Sequence, residues 1–115
     1  IITTTCAQEA LIKKLKDGKN NNNKSTLIVC IGSDSIGKQE LGIDLVRNAD
    51  VLVCDSILQT QERGENQHAI RNKDIKIEDI KELGDVLHLA KKIKEENNST
   101  TTTANANNSK LTILN

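Results

Sequence analysis

Apolar residues in this chain fall into short solid blocks, separated by stretches in which they recur every three or four places. Two blocks of the first kind occupy residues 27–31 (LIVCI) and 50–56 (DVLVCDS), each bounded by turn residues. A continuous run of that length predicts a strand buried on both faces. IITTT at the start reads as the end of a strand, and LTIL near the end as another. Ala7, Ala10, Leu11 and Leu15 give residues 8–16 a helical spacing. Asp17 and Gly18 then supply a stop, glycine suiting the left-handed position beyond a helix. Short helices are predicted at 43–48 and 58–63, the second closed by Gly64. Ile80, Leu83, Val86, Leu87, Ala90 and Ile93 predict a long amphipathic helix over 77–94, or two shorter ones broken near Gly84. Apolar strands alternating with helices predict an α/β fold, a parallel sheet flanked by helices.

Two tracts carry no periodicity, KNNNNK at 19–24 and the Asn/Thr-rich stretch 97–109. Both read as low-complexity loop expansions, which cost little when the loop ends stay in place. The 115 residues suit one small domain, and the lack of any methionine suggests an excerpt of a longer protein. Sixteen basic residues balance sixteen acidic ones, and no aromatic side chain is present. That composition argues against nucleic-acid binding, which needs excess cations and stacking surfaces. No apolar run reaches the ~20 residues of a membrane-spanning helix. Cys30 and Cys54 sit inside apolar blocks, as small buried hydrophobes do in a reducing cytoplasmic setting, and the cysteine spacing suits no metal site.

Candidate chemistry gathers in residues 30–41, CIGSDSIGKQEL. Gly32, Gly37 and Lys38 match the P-loop spacing G-x-x-x-x-G-K. Gln39, however, stands where a magnesium-binding hydroxyl is required, Glu40 would repel phosphates, and Gly42 weakens the helix that should begin there. A second reading places Asp34 and Lys38 at the carboxyl end of a strand, where parallel α/β sheets gather ligands. Asp34 would then move a proton, ionised beside the cation. A third makes the segment a plain turn, with Asp34 or Ser35 bonding its own backbone. Elsewhere, Ser56 reads as a helix N-cap, Glu62 and Glu65 as a solvated face, and His68 and His88 as helix-packing or surface residues.

The same segment resembles the loop G-x-D-x-P-G-K-x-E-L of the ornithine cyclodeaminase/mu-crystallin family. ADVLVCDS, QERGENQHA and KELGDVL continue the resemblance in order, and IITTT and LTIL join it more weakly. The resemblance implies the distal half of a Rossmann-type NAD(P)-binding domain over 1–115, within a homodimeric enzyme. Members of the family include ornithine cyclodeaminase, cyclic-imine (ketimine) reductases and alanine dehydrogenases, and mu-crystallin binds thyroid hormone. Their shared chemistry is hydride exchange between nicotinamide and a carbon bearing nitrogen, in an amino acid or cyclic imine. By resemblance Asp34 is the proton-transfer residue, Lys38 contributes to NAD or NADP binding, and Thr4, Thr5, Ile31 and Gly32 lie along the cofactor. A non-enzymatic ligand-binding protein on the same scaffold is the alternative. Ile36 replaces the family's proline, and the six glycines form no G-x-G-x-x-G. The pyrophosphate seat is therefore not in this stretch, and the isolated chain is expected to bind cofactor poorly. No metal, nucleic-acid or membrane partner is expected.

Overall fold

The computed structural model describes residues 1–15, 25–97 and 111–114. Its strands β1 (Ile2–Thr3), β2 (Thr26–Cys30), β3 (Val51–Cys54), β4 (Ile80–Glu82) and β5 (Leu111–Leu114) form one parallel sheet in the order β1-β2-β5-β3-β4. The last strand in sequence therefore sits in the middle. Its register aligns Ile28 with Ile113, Ile113 with Leu52, and Leu52 with Ile80. These four side chains form a buried row across one face. Removing each from water is worth about 1.5–3 kcal/mol, which is why the apolar blocks pair as they do.

Helices α1 (Ile43–Arg47), α2 (Ile57–Thr60), α3 (Gln67–Arg71) and α4 (Leu83–Asn97) complete the fold. Leu45 and Val46 of α1 and Ala69 of α3 join the buried row in a single apolar cluster, with Cys30 and Cys54 at its edge. The cysteines are thus the small buried hydrophobes expected of their neighbourhood. None of the described helices is long and apolar enough to cross a membrane.

Four local expectations are corrected. Residues 8–15 are not helical. Leu11 and Ile12 both donate backbone N–H groups to the Glu40 carbonyl (2.8 and 3.0 Å), Gly42 donates to Ile12 (2.8 Å), and Ile12 forms a parallel bridge with Leu41. An isolated helix of that length is marginal, and the same donors find better partners in the 39–42 segment. Residues 17 and 18, the low-complexity tract at 19–24, and the second tract beyond Asn97 lie outside the described residues. The 27–31 block is buried on one face only, Leu27 staying 52% exposed within β2 and Ile31 62% exposed just beyond it. The expected helix over 77–94 splits into a 3-10 turn (Ile77–Asp79), β4 and α4, because Ile80 pairs with Leu52 rather than continuing a helical stripe. Helix 58–63 shrinks to α2, and α3 follows after Gly64, whose φ of 92° turns the chain.

Candidate functional site

All five strands point their carboxyl ends the same way, and the loop leaving β2 crosses that end of the sheet. Gly37, at φ 86°, closes its tightest turn, and Lys38 N–H donates to the Ser35 carbonyl at 3.3 Å. This turn brings Lys38 Nζ to 2.6 Å from Asp34 Oδ1. The Asp34 side chain remains 68% exposed and that of Lys38 25%. Hydrogen bonding and charge from Lys38 hold the Asp34 carboxyl below the usual aspartate range, with help from the Ser35 hydroxyl. The bond to Asp34 raises Lys38 in turn, against partial burial. Asp34 therefore points at its cation.

Asp34 also borders two clefts. One of about 500 Å³ is lined by Ile31, Ser33, Asp34, Asp55, Arg63 and Leu114, among others. A second, of about 890 Å³, is lined by Asp34, Ser35, Ile36, Leu58 and Arg63. The carboxylate stands where they meet, in contact with solvent and next to exposed Ile31.

The ends of β1 and β2 are tied by a residue that the sequence reading cast as a nuisance. Glu40 is 0% exposed. Its Oε1 accepts from Thr5 N–H (2.6 Å) and the Thr5 hydroxyl (2.8 Å), and its Oε2 accepts from the Thr3 hydroxyl (2.7 Å) and Gly32 N–H (3.1 Å). Burial pushes its carboxyl up, but these donors together outweigh burial and hold it below the usual range. Gly32 packs so closely that a Cβ there would lie 2.1 Å from the Thr5 carbonyl oxygen. Thr5, Ile31 and Gly32 are thus brought together, with exposed Thr4 beside them. The P-loop reading fails on the same geometry. The Gly32 amide is occupied by an internal carboxylate, and the next helix, α1, starts only at Ile43.

Glu65 corrects the expectation of a solvated face. It is 1% exposed and accepts N–H bonds from Glu40 (3.0 Å) and Leu41 (2.6 Å), whereas Glu62 is exposed. Burial raises its carboxyl, the bonds from Leu41, Glu40 and Ser33 countering only in part. Cys30, Glu40 and Glu65 bring potential ligand atoms within 4.8 Å of one another. Both carboxylates are already engaged by amide and hydroxyl donors, and burial pushes the Cys30 thiol up to about 11, so the cluster is a hydrogen-bonded core and fits no cation. Ser56 occupies the N-cap position of α2 but makes no capping bond; Glu82 instead accepts from Ile57 N–H at 2.8 Å. His68, half-buried, has Nε2 3.3 Å from the Lys38 carbonyl, and His88 is exposed. The residues that escaped sequence reasoning are Glu40, Glu65 and Gln67, all buried polar groups. Their one available signal was their position beside turns that bear glycine.

A family model described as the ornithine cyclodeaminase/mu-crystallin family matches residues 1–103. Among solved structures, the chain is similar to the iminosuccinate reductase of Paracoccus denitrificans in complex with NAD+, at 25% identity and a TM-score of 0.66. That match covers 99% of this chain and 30% of the other. It is also similar in fold to an archaeal alanine dehydrogenase dimer with bound NAD, at 24% identity and TM-score 0.66, over 98% of this chain and 30% of that one. The chain thus spans about 30% of the length of these solved relatives. No curated protein matches it.

Proposed function

The chain belongs to the ornithine cyclodeaminase/mu-crystallin family, and we propose that residues 1–115 form the distal half of an NAD(P)-binding Rossmann-type domain, carrying the proton-transfer loop of an oxidoreductase. Its reaction is hydride exchange with an amino acid or cyclic imine, of the cyclodeaminase, ketimine reductase or alanine dehydrogenase type. The Asp34–Lys38 pair at the carboxyl end of a parallel sheet, with Asp34 bordering two clefts, is the observation that carries this reading. The NAD named in both similar structures supports the cofactor class.

The residues present suit the nicotinamide end of such a cofactor better than its phosphates. Thr4 and Ile31 offer an exposed hydroxyl and an exposed apolar surface at the ends of β1 and β2. The amides of Thr5 and Gly32 are occupied by Glu40. Thr4, Thr5, Ile31, Gly32 and Lys38 would hold the nicotinamide and its ribose. When bound, the nicotinamide supplies or accepts the hydride. Asp34 does the proton work: held ionised by Lys38, it accepts a proton from the substrate nitrogen in the oxidative direction and returns it in the reductive one. Lys38 aims that carboxylate with one N–H and keeps two for a hydroxyl of cofactor or substrate. A cytoplasmic homodimer acting on a small molecule completes the proposal, supported by a dimeric structural relative and three free thiols.

Nucleotide titration of the protein expressed in full tests this. NAD(P)H emission should change on binding, with no response to ATP and magnesium. The reverse result would overturn it.

A further inference from the structure

Gln67, the first residue of α3, is fully buried. Its side chain meets four backbone groups. Oε1 accepts from Gly37 N–H at 2.8 Å, and Nε2 donates towards the carbonyls of Ser35 (3.2 Å), Lys38 (3.2 Å) and Gly64 (3.0 Å). Three of the four belong to the turn 35–38, the stretch that brings Asp34 and Lys38 face to face. That turn has Ile36 where a proline would preset φ, so bonds from outside it must hold its shape. Packing alone does not require a buried amide with both its oxygen and its nitrogen engaged, and burying one is costly unless partners are supplied.

We infer that Gln67 is a positioning residue: its carboxamide shapes the 35–38 turn so that Asp34 and Lys38 meet at the cleft, coupling α3 to proton transfer. The catalytic meaning of this rests on the role proposed for Asp34, whereas the geometric claim does not. One acceptor and two donors are needed. A carboxylate at 67 would keep the Gly37 bond and turn oxygen towards three carbonyls, and an apolar chain of equal length would keep nothing.

Carbon-detected NMR titration of the Asp34 carboxyl in the protein expressed in full tests the inference, comparing the parent with Gln67→Met and Gln67→Asn. Ile113→Val serves as a control in the buried core, outside the 35–38 turn. In the parent, Asp34 should titrate below the usual aspartate range. In both Gln67 variants its midpoint should move up to that range, with loss of Asp34–Lys38 cross-peaks and retention of cooperative unfolding. Ile113→Val should lower stability and leave the Asp34 midpoint where it was. An unmoved midpoint in a folded Gln67 variant would overturn the inference. So would global unfolding of both variants, since Gln67 would then support the whole chain rather than this turn. No nucleotide or substrate enters the measurement, so its failure leaves the proposed activity standing. Failure of that activity equally leaves the turn geometry intact.

Discussion

Replacing Glu40 by glutamine conserves shape and removes a charge, and the structure says which bonds survive. With the amide oxygen at the Oε1 position, both bonds from Thr5 are kept. The amide nitrogen then takes the Oε2 position, facing the Thr3 hydroxyl at 2.7 Å and Gly32 N–H at 3.1 Å. The hydroxyl can rotate and accept. The Gly32 amide cannot, and is left as an unsatisfied donor against another donor, at a cost of about 1–3 kcal/mol. Surviving bonds lose their charge assistance, worth a further ~1 kcal/mol, while relief of carboxylate desolvation offsets part of this. A net loss of about 2 kcal/mol follows. At a urea dependence of about 1.5 kcal/mol/M, the unfolding midpoint should fall by roughly 1.3 M. Glu62→Gln, on an exposed carboxylate, should not move it. pH adds a second signature. Because Glu40 is held below the ordinary value of about 4.3, its contribution is complete above that value. It disappears as pH falls through the depressed folded pKa, so parent and variant should converge in acid. Equal midpoints for Glu40→Gln and Glu62→Gln at pH 7 would refute the reasoning.

Other substitutions should separate the two buried carboxylates and the two kinds of glycine. Glu65 is raised rather than lowered, so stability it contributes is lost as pH climbs from about 4.3 through its folded pKa. Glu65→Gln should therefore gain on the parent between pH 4 and pH 8 in thermal scans, and a growing deficit would contradict this. Gly32→Ala forces a Cβ onto the backbone of Thr5 and should cost about 3 kcal/mol or more in urea unfolding. Gly84→Ala, with open space in the first turn of α4, should instead stabilise by up to about 1 kcal/mol.

The strands at 26–30, 51–54 and 111–114 were legible because solid apolar blocks of that length pair in parallel sheets whatever surrounds them. Ile80 was not, since three residues of strand merged into the helical spacing that follows, and only pairing with Leu52 distinguishes them. The 8–15 segment misled for the opposite reason: its spacing is helical, but the Leu11 and Ile12 N–H groups are captured by the Glu40 carbonyl and the Ile12 carbonyl by Gly42 N–H, all distant in sequence. At the site, the proposed roles of Asp34 and Lys38 came from the family resemblance, whereas their placement beyond the end of β2 could be read because the apolar block stops there. Glu40, Glu65 and Gln67 could not, because a charged or amide side chain signals solvent until the fold supplies its partners. All three bind backbone groups, which no side-chain pattern records.

Asp34→Asn in the protein expressed in full tests the central claim most directly, by turnover and nicotinamide-nucleotide affinity measured side by side. Asparagine keeps the shape at the cleft mouth but cannot take up the proton. The prediction is turnover reduced by about 10²-fold or more with nucleotide affinity unchanged. Undiminished turnover would contradict the assignment of proton transfer to this carboxylate.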